Sequence, residues 1–367
     1  MITIAFAGGG TGGHIYPGLA VIANLKKISP CRVFWIGANT GMDRAIVEDA
    51  GIEFYGIPAG KLRRYFSPRN IADIFRVLAG FFAARKILKR EKPALLFSKG
   101  GFVSVPPCAA ASTLRIPVFT HESDFSPGLA TRINLRFAEK VFTAFRETAG
   151  LLPPASRGRA VYAGNPIRPE FRAARAESGR AFLGIDGEDP VLLVLGASLG
   201  ARQINGLVRE CLPRLTKRFV VVHQTGSGAA WDIPAAGRYK PYPFIRSEMP
   251  HVIASAALVL CRSGAGTIWE CASLGKPMIL IPLAGSGTRG DQVENARYLE
   301  GKGAALVLGG DVKAEDVAAA VERLWEDENA RAKMSAAALE FAAIDGGRVI
   351  AEAIAAYSGP AREESSP

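Results

Sequence analysis

Short apolar runs alternate with helix-patterned stretches along this chain, and that alternation restricts its fold more than any other feature. "ITIAFA" (2–7) precedes the helical pattern "YPGLAVIANLKKI" (16–28), and "RVFWIG" (32–37) follows. The helix-like "RAIVEDAG" (44–51), a basic segment (61–92), "ALLFS" (94–98), a Gly-rich turn and an Ala-rich helix (106–114) come next. "PVFTHE" (117–122) and "KVFTAF" (140–145) flank a further helical stretch. Strand-then-helix repetition predicts a parallel sheet with helices on both faces. The Pro-, Gly- and Arg-rich stretch 151–171 interrupts the pattern, and a second alternation then begins with "VLLVLG" (191–196) and a helix (200–215). It continues through "FVVVHQTG" (219–226), "ALVLCR" (257–262), "GTIWECASLG" (266–275) and "PMILIPL" (277–283).

The expected fold class is therefore α/β, with two doubly wound Rossmann-like domains, 1–163 and 164–345. The helical pattern at 346–358 is expected to return to the first domain, and 359–367 ("GPAREESSP") to form a disordered tail. A length of 367 residues suits two domains, and 49% hydrophobic with 22% charged residues is not a disordered composition. The five cysteines form no C-x-x-C pair and are read as buried, reduced thiols. No basic region precedes the first apolar run, so no signal peptide is read there. No apolar stretch reaches the roughly 18 residues that span a membrane. The net charge of +11 favours anionic partners: phosphorylated substrates, an anionic membrane or nucleic acid.

"GGGTGGH" (8–14) follows the first strand run, and its Gly8, Gly10 and Gly13 satisfy G-x-G-x-x-G. A dinucleotide site also needs an acid at the end of the next strand, to hold the ribose hydroxyls. The first Asp or Glu after Gly13 is Asp43, and "RVFWIG" ends without one. That counts against NAD and leaves only an arginine-based NADP mode formally open. His14 has two readings: a histidine satisfied by the turn, or a general base, for which an ordinary pKa near 6.5 is suited.

Eight motifs then fall in one order. They are "GGGTGGHIYP" (8–17), "KGGFVSVP" (99–106), "HESD" (121–124), "GNPIR" (164–168), "GASLGARQIN" (196–205), "HQTG" (223–226), "CRSGAGTIWE" (261–270) and "DQVENA" (291–296). Together, over about residues 2–357, they resemble the MurG family of peptidoglycan glycosyltransferases. The resemblance implies a GT-B fold, in which two domains face each other across the active-site cleft. The C-terminal domain would hold UDP-N-acetylglucosamine, and the N-terminal domain an undecaprenyl-pyrophosphoryl-N-acetylmuramyl-pentapeptide acceptor. The implied reaction is inverting transfer of N-acetylglucosamine to the acceptor C4 hydroxyl, converting lipid I to lipid II in peptidoglycan synthesis.

Residue by residue, the resemblance implies donor contacts by Thr11, Gly12 and Gly13 and by Arg168 at the domain junction. Ser198 would add a hydroxyl at the second glycine turn, and Ile245 would frame the uracil through its backbone. Ala265, Gly266, Thr267, Ile268 and Trp269 lie in the phosphate-side motif, where backbone N–H groups at a helix start suit an anion. Glu270 would accept hydrogen bonds from the ribose hydroxyls, and Gln292 would bond the sugar. His14 is the expected general base, with Asp124 the second candidate. At "HESD" the chain departs from the family, many members of which carry Gln and Asn in place of Ser123 and Asp124. An ionised Asp only accepts hydrogen bonds, whereas Asn also donates. His121 and Glu122 are read as structural. No D-x-D motif or His/Cys cluster demands a bound metal or cofactor, which leaves Mg²⁺ assistance open.

The basic segment 61–92 holds ten Lys or Arg against two acids, so much of the net charge is concentrated there. With apolar residues at near-helical spacing it is expected to lie on an anionic membrane through Arg63, Arg64, Phe75, Phe81, Phe82, Arg85 and Lys86. This places the protein peripherally on the cytoplasmic face of the cell membrane. No nucleic-acid motif competes for that charge. Three alternatives remain: a glycosyltransferase acting on another lipid such as diacylglycerol, a UDP-N-acetylglucosamine 2-epimerase, and a non-catalytic sugar-nucleotide-binding module.

Overall fold

The computed structural model describes residues 1–60, 69–196, 202–226, 231–285 and 289–358, with side chains in the helix beginning at Arg69 described from Asp73 onward. The expected contacts Arg63, Arg64 and Ser198 and the expected tail 359–367 lie outside the described residues.

The chain divides into two compact units: Met1–Arg168 together with the residues from Asp345 onward, and Pro169–Ile344. In the first, β1 (Ile2–Ala7), β2 (Cys31–Ala38), β3 (Glu53–Ile57), β4 (Leu95–Ser98), β5 (Val118–Glu122), β6 (Lys140–Thr143) and β7 (Ala160–Tyr162) form one sheet. Its order is β3-β2-β1-β4-β5-β6-β7, with every pair parallel. Central strands such as β4 are buried along their whole length, which is why they read as unbroken apolar runs. Helices α1 (Gly12–Ile28), α2 (Asp43–Asp49), α3 (Arg69–Glu91) and α4 (Val105–Thr113) belong to the crossovers.

Phe6, Trp35 and Phe97 fill the core on one side of this sheet with Val21, Ile22 and Leu25 of α1. Ile350, Ala351 and Ile354 of the last helix, Gly346–Ser358, complete the same core. That helix enters tightly: a Cβ on Gly346 would lie 2.9 Å from backbone atoms of Ala163, Gly164 and Asn165.

The second unit carries β8 (Val191–Leu195), β9 (Val220–Gln224), β10 (Tyr239–Tyr242), β11 (Leu258–Cys261), β12 (Met278–Leu280) and β13 (Leu306–Val307). They form a second all-parallel sheet in the order β10-β9-β8-β11-β12-β13. Helices Arg202–Leu215 and Ala314–Glu326 bury Ile204, Val208, Val317 and Val321 against it. Strand order reverses at β1 in one sheet and at β8 in the other, and such switch points are where open α/β sheets bind ligands. All five cysteines are free thiols; four are buried and Cys31 is half-buried.

Candidate active site

In the first unit the glycine loop leaves β1 and runs straight into α1, which starts at Gly12 with Thr11 as its extended N-cap. The loop is held from below by Asp43. Its carboxylate accepts Gly10 N–H at 3.0 and 3.1 Å and Ala38 N–H at 3.1 Å. Gly9 passes so close that a Cβ there would fall 1.8 Å from Asp43 Oδ2. The acid whose position argued against NAD is thus buried, and committed to backbone amides of the loop itself. Burial pushes its carboxyl pKa up, and the two amide bonds work against that rise.

His14, in the first turn of α1, lies half-buried beside the turn after β4. Gly101 has φ +75°, and a Cβ on it would come within 2.8 Å of the imidazole Cδ2, so this ring requires glycine opposite it. Arg168 stacks its guanidinium 4.9 Å from the centre of the Tyr16 ring, one helix turn from the same loop.

The end of β5 supplies the remaining polar groups. Burial, together with the Lys99 charge, pushes His121 well below the usual histidine range, so it is neutral. Its Nε2–H donates to Gly164 O at 3.0 Å. The buried Glu122 carboxylate accepts Asp124 N–H at 3.0 Å and Gly128 N–H at 2.8 Å. Burial, then the Asp124 charge, raises its pKa. These contacts give His121 and Glu122 the work of shaping the turn that carries Asp124.

Three partners went unnoticed in the sequence. Lys99 is 1% exposed, and its Nζ donates to Ser123 Oγ, which in turn donates to Asn165 Oδ1 at 3.2 Å. Asn134 donates to Ser98 Oγ at 3.1 Å and Ser104 Oγ at 2.9 Å, bracing the Gly100–Gly101 turn. Asp43 is the third. All three are polar residues wholly buried next to a glycine turn, a pattern the apolar periodicity does not report.

In the second unit, β11 ends at Cys261 and the helix Ala265–Ser273 begins four residues later. Its N-cap, Gly264, offers no side-chain hydrogen bond, so the first-turn amides of Ala265, Gly266 and Thr267 have no cap bond from it. Ile268 and Trp269 have fully buried side chains, with the Trp269 and Phe341 ring centres 4.2 Å apart, and the Ile268 N–H is donated to Gly264 O at 3.1 Å. Glu270 is half-buried one turn further on.

Gln292 accepts Leu283 N–H on Oε1 at 2.9 Å, which fixes the amide so that its NH₂ group is the end left for a ligand. Ser263 ties this helix to the same place, its Oγ donating to Gln292 O at 2.7 Å. Ile245 donates its N–H to Gln224 Oε1 at 2.9 Å, which leaves its carbonyl as the polar backbone group for a base. Arg262, also unnoticed in the sequence, is buried and donates to Ile281 O at 2.9 Å. Among the described residues no group of three or more His, Cys, Asp or Glu is placed to hold a metal ion.

The expected membrane face is only partly a face. On α3, Phe75 and Phe82 are 67% and 66% exposed, and Ile74 and Leu78 are exposed beside them. Lys86 is exposed, and half-buried Arg85 donates to Thr113 Oγ1 at 3.3 Å. Phe81 departs from the expectation: it turns partly inward onto the core formed by Ala84, Leu88 and α4.

A model of the glycosyltransferase family 28 N-terminal domain matches residues 4–143, and that of the family's C-terminal domain matches residues 191–347. The chain is 50% identical over 350 residues to the UDP-N-acetylglucosamine–N-acetylmuramyl-(pentapeptide) pyrophosphoryl-undecaprenol N-acetylglucosamine transferase of Treponema denticola, covering 90% of each. Among solved structures it is similar to MurG of Acinetobacter baumannii, with TM-score 0.71 and 26% identity over 96% of this chain and 99% of that one. The UDP-N-acetylglucosamine 2-epimerase of Neisseria meningitidis matches with TM-score 0.69 over 96% and 99% of the chains. At 15% identity that is a likeness of fold alone. Two parallel α/β units, together with matches to both family 28 domains, define a glycosyltransferase of the GT-B class. The chain belongs to glycosyltransferase family 28 and, within it, to the MurG family.

Proposed function

We infer that this enzyme transfers N-acetylglucosamine from UDP-N-acetylglucosamine to the C4 hydroxyl of undecaprenyl-pyrophosphoryl-N-acetylmuramyl-pentapeptide, the lipid I to lipid II step of peptidoglycan synthesis. The observation that carries this is 50% identity over nine-tenths of both chains with the Treponema denticola transferase. The proposed reaction is a single displacement. The acceptor C4 oxygen bonds to the anomeric carbon, the bond to UDP breaks, and His14 receives the hydroxyl proton. Asp124 accepts a hydrogen bond from the acceptor sugar and orients it.

On the donor side, the proposed pyrophosphate contacts are the amides of Ala265, Gly266 and Thr267, at a helix start suited to developing negative charge. Thr11, Gly12 and Gly13 offer a second helix start of the same kind. Glu270 takes the ribose hydroxyls and the Gln292 NH₂ group the sugar oxygens. The Ile245 carbonyl meets the uracil N–H, and Arg168 lies near the nucleotide. We also propose that Ile74, Phe75, Leu78 and Phe82, with Lys86, rest on the anionic cytoplasmic membrane surface where the lipid acceptor lies.

The test is incubation of the purified protein with labelled UDP-N-acetylglucosamine and each candidate lipid. Label appearing in the muramyl lipid is the expected result. Label only in diacylglycerol, or N-acetylmannosamine released without an acceptor, overturns the assignment.

A further inference from the structure

Lys99 has no part in the reaction described above, yet among the described residues it is the most completely buried cation of the first unit. It directly follows β4 at the switch point, with its Cβ only 3.3 Å from where a Cβ on Gly8 would be. Burying an ammonium is unfavourable unless hydrogen bonds and opposite charges compensate it. Here the compensation comes from one segment. Ser123 Oγ accepts from Nζ, and the charges that support the ammonium are those of Glu122 and Asp124, on either side of that serine. Other titratable groups near it are His121 on β5, which feels its charge, and His14 on α1, which in turn couples to His121.

The two carboxylates have different duties. Glu122 is engaged by the amides of Asp124 and Gly128. Asp124 is half-buried, at the edge of the site. Lys99 cannot touch a substrate, being 1% exposed, and its hydrogen bond runs to Ser123 in the 122–124 turn.

We propose that Lys99 is a positioning residue for Asp124: its buried ammonium anchors Ser123 and balances the charge of the 122–124 turn, so that Asp124 is presented in one orientation to the acceptor hydroxyls. This rests on the proposed role of Asp124 in glycosyl transfer. Burial lowers the Lys99 pKa to about 8, with Glu122 and Asp124 opposing the fall, so the ammonium is lost within the working range of an assay.

The test is a double-mutant cycle with Lys99→Met, Asp124→Asn and the double variant, assayed on the full enzyme with the muramyl lipid. Each single variant should lower kcat/KM for the acceptor about 10- to 100-fold and leave the KM for UDP-N-acetylglucosamine within about twofold. If Lys99 acts through Asp124, the double variant should be no worse than Asp124→Asn alone. Losses that multiply overturn the proposal, as does full activity in Asp124→Asn. A second readout needs no change at Lys99. In the native enzyme, acceptor kcat/KM should fall as pH rises through about 8, and Asp124→Asn should lack that limb. A limb of the same position and depth in that variant also overturns the proposal. If the native enzyme labels no muramyl lipid at all, the glycosyl-transfer reading fails instead, so the two failures are distinguishable.

Discussion

His14 and His223 sit in opposite surroundings, and the proposed function gives only the first a part in the reaction. His14 is half-buried against a glycine turn at the mouth of a sheet. His14→Ala should therefore lower kcat about 100- to 10,000-fold while the KM for UDP-N-acetylglucosamine stays within a few-fold, by steady-state kinetics. His223 is sealed in the second unit, with Nε2 at 3.1 Å from Asn205 Oδ1 and Nδ1 at 3.0 Å from Tyr239 Oη. Asn205 Oδ1 only accepts, so Nε2 carries the proton and the tyrosine hydroxyl donates to Nδ1. Burial lowers the His223 pKa to about 4. Between about 6.5 and 4 the unfolded chain then binds a proton that the folded unit refuses, so stability falls as pH falls through that window. The loss by pH 4 is on the order of 3 kcal/mol. Urea unfolding of the native protein and of His223→Gln at pH 7 and pH 4.5 should show a flatter pH response in the variant.

At the scale of elements, α3 carries a prediction that separates its two faces. Phe75→Ala with Phe82→Ala should weaken co-sedimentation with phosphatidylglycerol vesicles about 10-fold or more and leave thermal stability unchanged. Leu88→Ala on the core side should do the reverse and destabilise by about 2–5 kcal/mol. The central strands were legible in the sequence because both their faces are buried: β1, β4, β5, β8, β9, β11 and β12 all fall within apolar runs read from it, and β2 extends its run by one residue at each end. The edges were not. β3, β10 and β13 are short and partly exposed, and β7 lies inside the Pro- and Gly-rich stretch read as an interruption. For the site, glycine turns and His14 stood out because their spacing is local. Asp43 reaching back to Gly10 and Lys99 reaching forward to Ser123 are long-range pairings of buried polar groups, and no local spacing encodes them.

At the scale of the whole molecule, the last helix belongs to the first unit although the second unit is made before it. Its Ile350 and Ile354 fill the core beneath α1, so a chain stopped after Ile344 leaves that core open. Such a truncation should lower the first unit's melting temperature by several degrees or abolish its transition, while UDP still binds through the second unit's contacts, weakened by the loss of those proposed for Thr11, Gly12, Gly13 and Arg168. Calorimetry with a UDP titration reads both. The same arrangement sets an order of events during synthesis. Emerging from the ribosome, the residues of the first sheet must wait, with an apolar face unsealed, while the whole second unit is translated. The second unit can close as soon as Ile344 is free, and the first must await Gly346–Ser358. The half made first is therefore the half finished last, and it is the half whose apolar face stays open in the interval.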